Sequence, residues 1–169
     1  MKLNLGCGKE VKEGFEGADI KDWGQQFICD LRQLFPWGDD CIDEAYSRHL
    51  LPCFTKQEIN AFFNELYRVL KPEATCQIII PAWNASGGYG HPHFQTEIKE
   101  GYFYFLNKEW REQNAPEVDD LTCNFEATWG YNMNPSIVMR NQEYQQLALS
   151  NFCNAAIDII VTVRKKVLV

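Results

Sequence analysis

The sequence contains no run of about 20 consecutive apolar residues, which is the length that a helix needs to span a bilayer. We also expect no signal peptide at its start, because an apolar strand pattern begins at Leu3. We therefore expect a cytoplasmic protein without a membrane partner. Apolar residues still make up 46% of the chain and aromatic residues 14%, which argues against disorder. The 169 residues fit one compact domain spanning the whole chain.

Basic clusters and paired cysteines are also scarce. The formal net charge is −7, and the one basic run, Arg164-Lys165-Lys166, is more typical of a solvated strand end than of a nucleic-acid-binding surface. The seven cysteines are scattered and form no Cys-x-x-Cys pair. We therefore expect neither a disulfide scaffold nor a zinc site, and the composition argues against a nucleic-acid partner.

A glycine turn directly follows the first apolar run of the chain. Leu3-Asn4-Leu5 is typical of a buried parallel strand, and Gly6-Cys7-Gly8 ends it in a tight turn. Glycines permit backbone conformations closed to other residues and clear space for a ligand. In open α/β sheets such a turn lies at the carboxyl edge, where nucleotide-like cofactors bind, although Gly-x-Gly alone is not specific.

Acidic residues end the next two predicted strands. Residues 15–20 predict a second strand with Asp19 near its end, and residues 27–31 a third strand with Asp30. An acid at such a strand end can accept hydrogen bonds from both ribose hydroxyls of a nucleoside. A glycine turn followed by two strand-end acids is more specific than any one of them. Further strands are predicted at residues 41–47, 76–80 and 157–163.

These residues resemble a known family over roughly the first half of the chain. Together with residues 35–43 and Leu66-Tyr67-Arg68-Val69-Leu70-Lys71-Pro72, they are similar to small class I S-adenosylmethionine-dependent methyltransferases of a compact bacterial and phage type. Residues 127–131 and 160–163 extend the resemblance. It implies an α/β, Rossmann-like methyltransferase fold, with a mostly parallel twisted sheet of about seven strands in the order 3-2-1-4-5-7-6 and helices on its faces.

The resemblance also implies a cofactor and the residues that bind it. The cofactor is S-adenosylmethionine, which leaves as S-adenosylhomocysteine after in-line methyl transfer to a small-molecule, sugar or protein acceptor. By this likeness Gly6 and Gly8 face the methionine part, Asp19 binds the ribose, and Asp30 with Leu31 holds the adenine. The full set of expected cofactor-binding residues is Leu5, Gly6, Cys7, Gly8, Asp19, Ile20, Asp30, Leu31, Arg48 and His49.

A dinucleotide-binding site is the first alternative. Its fingerprint needs a third glycine for close packing of helix on strand, and Val11 stands at that position. Asp19 follows Gly8 by eleven residues, whereas the fingerprint places its acid about 20 residues further on. Both departures argue against a dehydrogenase.

Two further alternatives concern the acceptor and catalysis itself. Pro52-Cys53 is similar to the nucleophilic pair of cytosine-C5 methyltransferases, but no companion motif accompanies it, and Ser47-Arg48-His49-Leu50 replaces the motif of enzymes that methylate base amino groups. A catalytically inactive S-adenosylmethionine-binding or scaffold protein of the same fold also remains open.

The catalytic candidates are His49 and His93. No carboxylate pair at a recognisable spacing accompanies His91-Pro92-His93, so we expect no metal there.

Helical patterns fall between the predicted strands. Thr55-Lys56-Gln57-Glu58 matches a capping box, and apolar residues then recur at helical spacing as far as Leu70. A second helix is predicted at residues 142–151, with Tyr144, Leu147 and Ala148 turned inward. Only Lys9 to Gly14 separate the first two strands, so the first crossover helix must be reduced or absent.

The long segment at residues 82–141 is rich in aromatic residues and lies outside the core pattern. We interpret it as an insertion that forms a lid over the carboxyl edge, because such long connections are usually functional or disordered and the aromatic content argues against disorder. The alternative is that its rings pack against the sheet or across a homodimer interface. Within it, residues 96–106 predict a helix. Its aromatic residues are Trp83, Tyr89, Phe94, Tyr102, Tyr104, Trp110, Trp129 and Tyr131.

Overall fold

A computed structural model describes residues 1–167 and shows one seven-stranded sheet at its centre. The spatial order of the strands is β3-β2-β1-β4-β5-β7-β6. The predicted strand order is thereby confirmed. The strands are β1 (Lys2–Leu5), β2 (Glu16–Asp19), β3 (Phe27–Ile28), β4 (Ile42–Arg48), β5 (Leu70–Pro81), β6 (Phe125–Met133) and β7 (Ala156–Lys165).

Most of the sheet is parallel, as predicted. β1 pairs in parallel with β2 and β4, β2 with β3, and β4 with β5, whereas β7 runs antiparallel to both β5 and β6. In this register Leu5 lies between Ala18 and Ser47. The carboxyl ends of β1, β2 and β4 therefore meet at one edge of the sheet, where ligands of open α/β folds bind.

Five α-helices and two 3-10 helices accompany the strands in residues 1–167. The helix α1 starts as predicted, because the Thr55 hydroxyl accepts a hydrogen bond from the Glu58 N–H at 3.3 Å while the Glu58 carboxylate accepts from the Thr55 N–H at 2.8 Å. Its apolar face, which includes Phe62 and Phe63, is buried in the core. The helices are α1 (Lys56–Val69), α2 (Ser86–Tyr89), α3 (Lys108–Asn114), α4 (Pro135–Val138) and α5 (Gln142–Asn151), with 3-10 helices at Leu51–Cys53 and Glu100–Leu106.

No helix connects β1 to β2 in the described chain, which confirms the prediction from the short spacing. Instead the connection is a loop whose Lys12 N–H donates to the Asn4 Oδ1 at 2.8 Å. The two faces of the sheet therefore differ in how far they are buried. Ala45 and Cys76 are buried on the core side, whereas Gln77, on the opposite face, is exposed. None of the helices described is long and apolar enough to cross a membrane.

Two predicted helices differ from the observed ones. The helix α5 has the predicted range, but only Ala148 is buried, while Tyr144 and Leu147 are exposed. The helix predicted from residue 96 begins only at Glu100, as a 3-10 helix, and residues 95–99 form neither helix nor strand. The Gln95 and Thr96 N–H groups both donate to the Pro52 carbonyl instead.

The segment at residues 82–141 contributes to the sheet as well as to the surface. It contains β6, which forms the edge strand beside β7. On this strand the Trp129 ring packs against Phe103, at 6.0 Å between ring centroids, and against Tyr104 at 5.2 Å. At least these aromatic side chains therefore pack within the protein.

Candidate functional site

The turn after β1 is built from two glycines in the left-handed region. Gly6 has φ +68° and Gly8 has φ +55°. The Gly6 N–H donates to the Ala18 carbonyl at 2.8 Å, which fixes the turn to the end of β2. A Cβ on Gly6 would lie 2.8 Å from Leu50 Cδ1, whereas a Cβ on Gly8 would meet nothing within 4 Å. Gly6 therefore permits close packing, and Gly8 borders open space.

The Asp19 carboxylate joins this turn to the end of β2. Its Oδ2 accepts a hydrogen bond from the Gly8 N–H at 2.9 Å, and its Oδ1 accepts from the Lys21 N–H at 3.0 Å. The Cys29 N–H donates to the Asp19 carbonyl at 3.0 Å, so the residue is also tied to the chain after β3. A carboxylate offers about four acceptor sites, so each oxygen keeps capacity for one more donor.

Asp30, after β3, is held in a different way. The Arg32 guanidinium donates two hydrogen bonds to its carboxylate, from Nε to Oδ1 at 2.9 Å and from Nη2 to Oδ2 at 2.8 Å, and the Arg32 backbone N–H donates a third to Oδ1 at 3.0 Å. These hydrogen bonds lower the pKa of Asp30 below its usual value. The acid is therefore ionised at neutral pH, and the fork of Arg32 fixes the turn that carries Leu31.

A cavity of about 810 Å³ lies at this carboxyl edge and brings the predicted residues together. Leu5 is instead buried in the core beneath the turn. Cys7 lines an adjoining cavity of about 510 Å³, which shares Gly6, Arg48 and His49 with the larger one. Eight of the ten expected cofactor-binding residues line the larger cavity: Gly6, Gly8, Asp19, Ile20, Asp30, Leu31, Arg48 and His49.

The opposite wall of the larger cavity comes from the segment after β5. All three histidines of the chain line this one cavity. His91 stacks on Phe94 with 4.4 Å between ring centroids, and the Gln95 N–H donates to the Pro52 carbonyl at 2.9 Å, which holds the segment beside the edge of the sheet. Further lining residues, which were not among the expected cofactor-binding or catalytic residues, are Lys21, Trp23, Arg32, Leu50, Phe54, Pro92, Phe94 and Gln95.

His49 is held by residues of three strands. Its N–H donates to the Ile79 carbonyl at 2.8 Å, and its ring Nε2 lies 2.8 Å from Oδ1 of Asp158 on β7. The second oxygen of Asp158 accepts a hydrogen bond from Asn132 Nδ2 on β6 at 3.2 Å. The sequence analysis missed Asp158 and Asn132. The available signal was an acid within the apolar run of β7, which is unusual for a buried strand.

Cys53 also lines the larger cavity, but its chemistry does not suit a nucleophile. Burial raises the pKa of the Cys53 thiol above its usual value. The thiolate is the nucleophilic form, so a raised pKa leaves the group less reactive at neutral pH. This argues against the cytosine-C5 alternative. Within residues 1–167, no group of three or more histidine, cysteine and acidic side chains is arranged to hold a metal ion.

The chain resembles known proteins in both sequence pattern and fold. Residues 11–78 match the model of a family described as a methyltransferase domain. No curated protein has a significantly matching sequence.

Several solved structures have a similar fold over nearly the whole length of this chain. A SAM-dependent methyltransferase from Archaeoglobus fulgidus has 12% identity and a TM-score of 0.68, with coverage of 97% of this chain and 85% of that chain. The 1,6-didemethyltoxoflavin-N1-methyltransferase of Burkholderia thailandensis, solved with S-adenosylhomocysteine bound, has 14% identity and a TM-score of 0.59, covering 98% and 71%. The [4+2]-cyclase SpnF has 14% identity and a TM-score of 0.58, covering 99% and 74%. The matched segment is thus similar to a methyltransferase domain, and the chain as a whole shares the fold of S-adenosylmethionine-dependent methyltransferases.

Proposed function

We propose that the protein binds S-adenosylmethionine in the cavity of about 810 Å³ and catalyses transfer of its methyl group to an acceptor. The observation that carries this proposal is the link between Asp19 and the glycine turn. The Asp19 carboxylate accepts from the Gly8 N–H at 2.9 Å, and both residues line the cavity together with Asp30 from the next strand end. A nucleoside-sized ligand can therefore contact three strand ends at once.

The lining residues fit the three parts of this cofactor. The open space at Gly8 admits the methionine part close to the backbone. The free acceptor capacity of Asp19 suits the two ribose hydroxyls. Ile20, which is 57% exposed, and Leu31 offer apolar contacts for the adenine, and Asp30 can share its carboxylate between Arg32 and the adenine amino group. Arg48 and His49 complete the proposed binding set on the side of β4.

Bound S-adenosylmethionine supplies a methyl group on a positively charged sulfur, which is already activated for displacement. The remaining task of the protein is to align an acceptor with the methyl carbon and to exclude water. Holding two reactants in line lowers a barrier by about 7–11 kcal/mol in favourable cases. We propose that residues 91–95 act as part of a lid for this purpose, because they already form one wall of the cavity.

The adjoining cavity indicates the chemical class of the acceptor. The adjoining cavity of about 510 Å³ opens where other α/β proteins have a crossover helix, and it shares Gly6, Arg48 and His49 with the cofactor cavity. Its lining includes Asn4, Tyr46 and Gln77, which suit a polar small molecule, a sugar or a protein side chain. The net charge of −7 argues against a nucleic-acid acceptor. A cytoplasmic location and a single domain belong to the same proposal.

A second candidate function is binding of the cofactor without methyl transfer. The likeness to SpnF favours keeping it, because that protein has a related fold and is described as a cyclase. The missing crossover helix also leaves the cofactor side of the sheet more open than in a fully covered α/β sheet.

Calorimetry and methyl release together test both candidates. The protein is titrated with S-adenosylmethionine and with S-adenosylhomocysteine, and is then incubated with methyl-labelled cofactor and a panel of hydroxyl, amine and thiol compounds. Binding with labelled product on any acceptor supports the enzyme. Binding without product supports the second candidate, and absence of binding to either compound contradicts the cofactor site.

A further inference from the structure

A buried aspartate positions one imidazole at the wall of the cofactor cavity. Asp158 is 5% exposed, and its two oxygens contact His49 Nε2 at 2.8 Å and Asn132 Nδ2 at 3.2 Å. His49 lines both the cofactor cavity and the adjoining cavity. The residue therefore lies at the boundary between the two spaces, and its ring is held from the buried side by Asp158.

The backbone of His49 is also constrained. Its φ of +56° lies in the left-handed region, which residues other than glycine rarely adopt. Such a conformation is unfavourable and persists only where surrounding contacts enforce it, most often at functional sites. Here the enforcing contacts are the hydrogen bond from the His49 N–H to Ile79 and the ring contact with Asp158.

The hydrogen-bond partners determine which ring nitrogen carries the proton. An ionised carboxylate can only accept, so the contact with Asp158 places the hydrogen of a neutral imidazole on Nε2. The second oxygen of Asp158 accepts a hydrogen bond from the Asn132 amide. Nδ1 then keeps its lone pair, and it has no hydrogen-bond partner among residues 1–167.

We propose that His49 is the general base of the methyl transfer, that Asp158 is its positioning residue, and that the acceptor atom is a hydroxyl oxygen or an amine nitrogen that carries a proton at neutral pH. The inference rests on the proposed function. Beyond the proposed function, it names the general base and restricts the chemical class of the acceptor. Thiol acceptors are excluded, because a thiol ionises much more readily and needs no positioned base.

With a hydroxyl acceptor, the methyl group and one proton are transferred in the same step. A lone pair of the acceptor oxygen forms the new bond to the methyl carbon while the O–H proton moves to Nδ1 of His49. The carbon–sulfur bond breaks, and its electron pair returns to the sulfur, which becomes neutral. The imidazolium ion that results lies 2.8 Å from the Asp158 carboxylate, and it returns its proton to water after product release.

The first test measures the tautomer and needs no acceptor. Nitrogen-15 NMR of histidine-labelled protein with S-adenosylhomocysteine would show His49 as the Nε2–H tautomer, with the signal assigned by its loss in His49→Gln. In Asp158→Asn the new amide can donate to Nε2, so the tautomer would change to Nδ1–H. A wild-type protein with hydrogen on Nδ1 would overturn the proposal.

The second test separates acceptor classes. Methyl release is measured with catechol, an aromatic amine and dithiothreitol as probes. His49→Gln and Asp158→Asn are expected to lower turnover of the catechol or amine at least 100-fold at saturating S-adenosylmethionine, while the affinity of Asp158→Asn for S-adenosylhomocysteine stays within about threefold. Asp119→Asn, an exposed acid outside both cavities, is the matched control.

The outcomes distinguish this inference from the proposed function. Wild-type protein that releases methyl to catechol or amine, with His49→Gln within threefold of its rate, contradicts the base but leaves the methyltransferase intact. Wild-type release to dithiothreitol alone contradicts the acceptor class. Wild-type protein that binds S-adenosylhomocysteine and methylates none of the probes counts against the proposed methyl transfer, and with it against a base for that step.

Discussion

Replacement of Asp19 by alanine tests the centre of the proposed cofactor site. In the structure the carboxylate holds the Gly8 N–H at 2.9 Å and the Lys21 N–H at 3.0 Å, and both oxygens keep capacity for further donors. The substitution removes both side-chain acceptors at this position. We therefore expect two separable effects: weaker cofactor binding and a less restrained turn after β1.

The expected loss of affinity follows from the hydrogen bonds involved. A hydrogen bond to a charged group contributes about 1.5–3 kcal/mol, and neutral ones about 0.5–1.5 kcal/mol. Because water can replace part of the lost contact at this half-buried position, we expect a total of about 1–3 kcal/mol. That corresponds to a decrease in affinity for S-adenosylhomocysteine of roughly 5-fold to 150-fold.

Isothermal titration calorimetry with S-adenosylhomocysteine measures this loss directly. Glu13→Ala is the matched control, since it removes the same charge from an exposed position outside both cavities. Thermal unfolding of each variant shows whether the turn has been destabilised. An affinity of Asp19→Ala equal to that of wild type, in a folded protein, would refute the assignment of Asp19 as ribose ligand.

Two further perturbations test the turn and the acid stability. Alanine at either glycine strains a left-handed backbone, but in Gly6→Ala the new Cβ also lies 2.8 Å from Leu50 Cδ1. We therefore expect calorimetric unfolding to show a larger stability loss for Gly6→Ala, while Gly8→Ala, whose methyl group enters the cavity, chiefly weakens S-adenosylhomocysteine binding; equal stability losses would contradict this. The hydrogen bond from Arg68 at 2.6 Å lowers the pKa of Glu65 in the folded state. The ionised Glu65 therefore stabilises the fold fully above its unfolded pKa of about 4.3, and this stabilisation is lost as the pH falls through the lower folded pKa. Urea unfolding between pH 5 and pH 3 is expected to show a shallower loss of stability in Glu65→Gln than in wild type, and identical slopes would contradict the assignment.

Local patterns in the sequence were sufficient to predict which residues meet at the carboxyl edge of the sheet. A glycine turn and two strand-end acids are each encoded within a few residues, and parallel pairing then brings their ends together. The capping box at Thr55 is equally local, so the start of α1 was predicted correctly. The short spacing between the first two strands predicted the missing helix for the same reason, because chain length alone limits what can fit there.

The remaining parts of the site depend on contacts between distant residues. His49 and Asp158 are 109 positions apart, and only the antiparallel insertion of β7 beside β5 brings them together. Residues 91–95 line the cavity because Gln95 pairs with the Pro52 carbonyl, a contact that no periodicity indicates. In α5 the exposed Tyr144 and Leu147 show that a helical pattern predicts an apolar face but not whether another element covers it.

The loop between β1 and β2 explains why Val11 stands where a dinucleotide-binding fold has its third glycine. That glycine permits a helix to pack closely on its strand, and no helix begins in this loop. The small residue lies on the strand instead: a Cβ on Gly17 would be 2.6 Å from Val11 Cγ2 and 2.9 Å from Cys7 Sγ. Val11 thus packs directly over β2, and the Lys12 N–H bonds to Asn4 at 2.8 Å. The loop is therefore anchored by side-chain packing and hydrogen bonds, which keeps the glycine turn in place without a crossover helix.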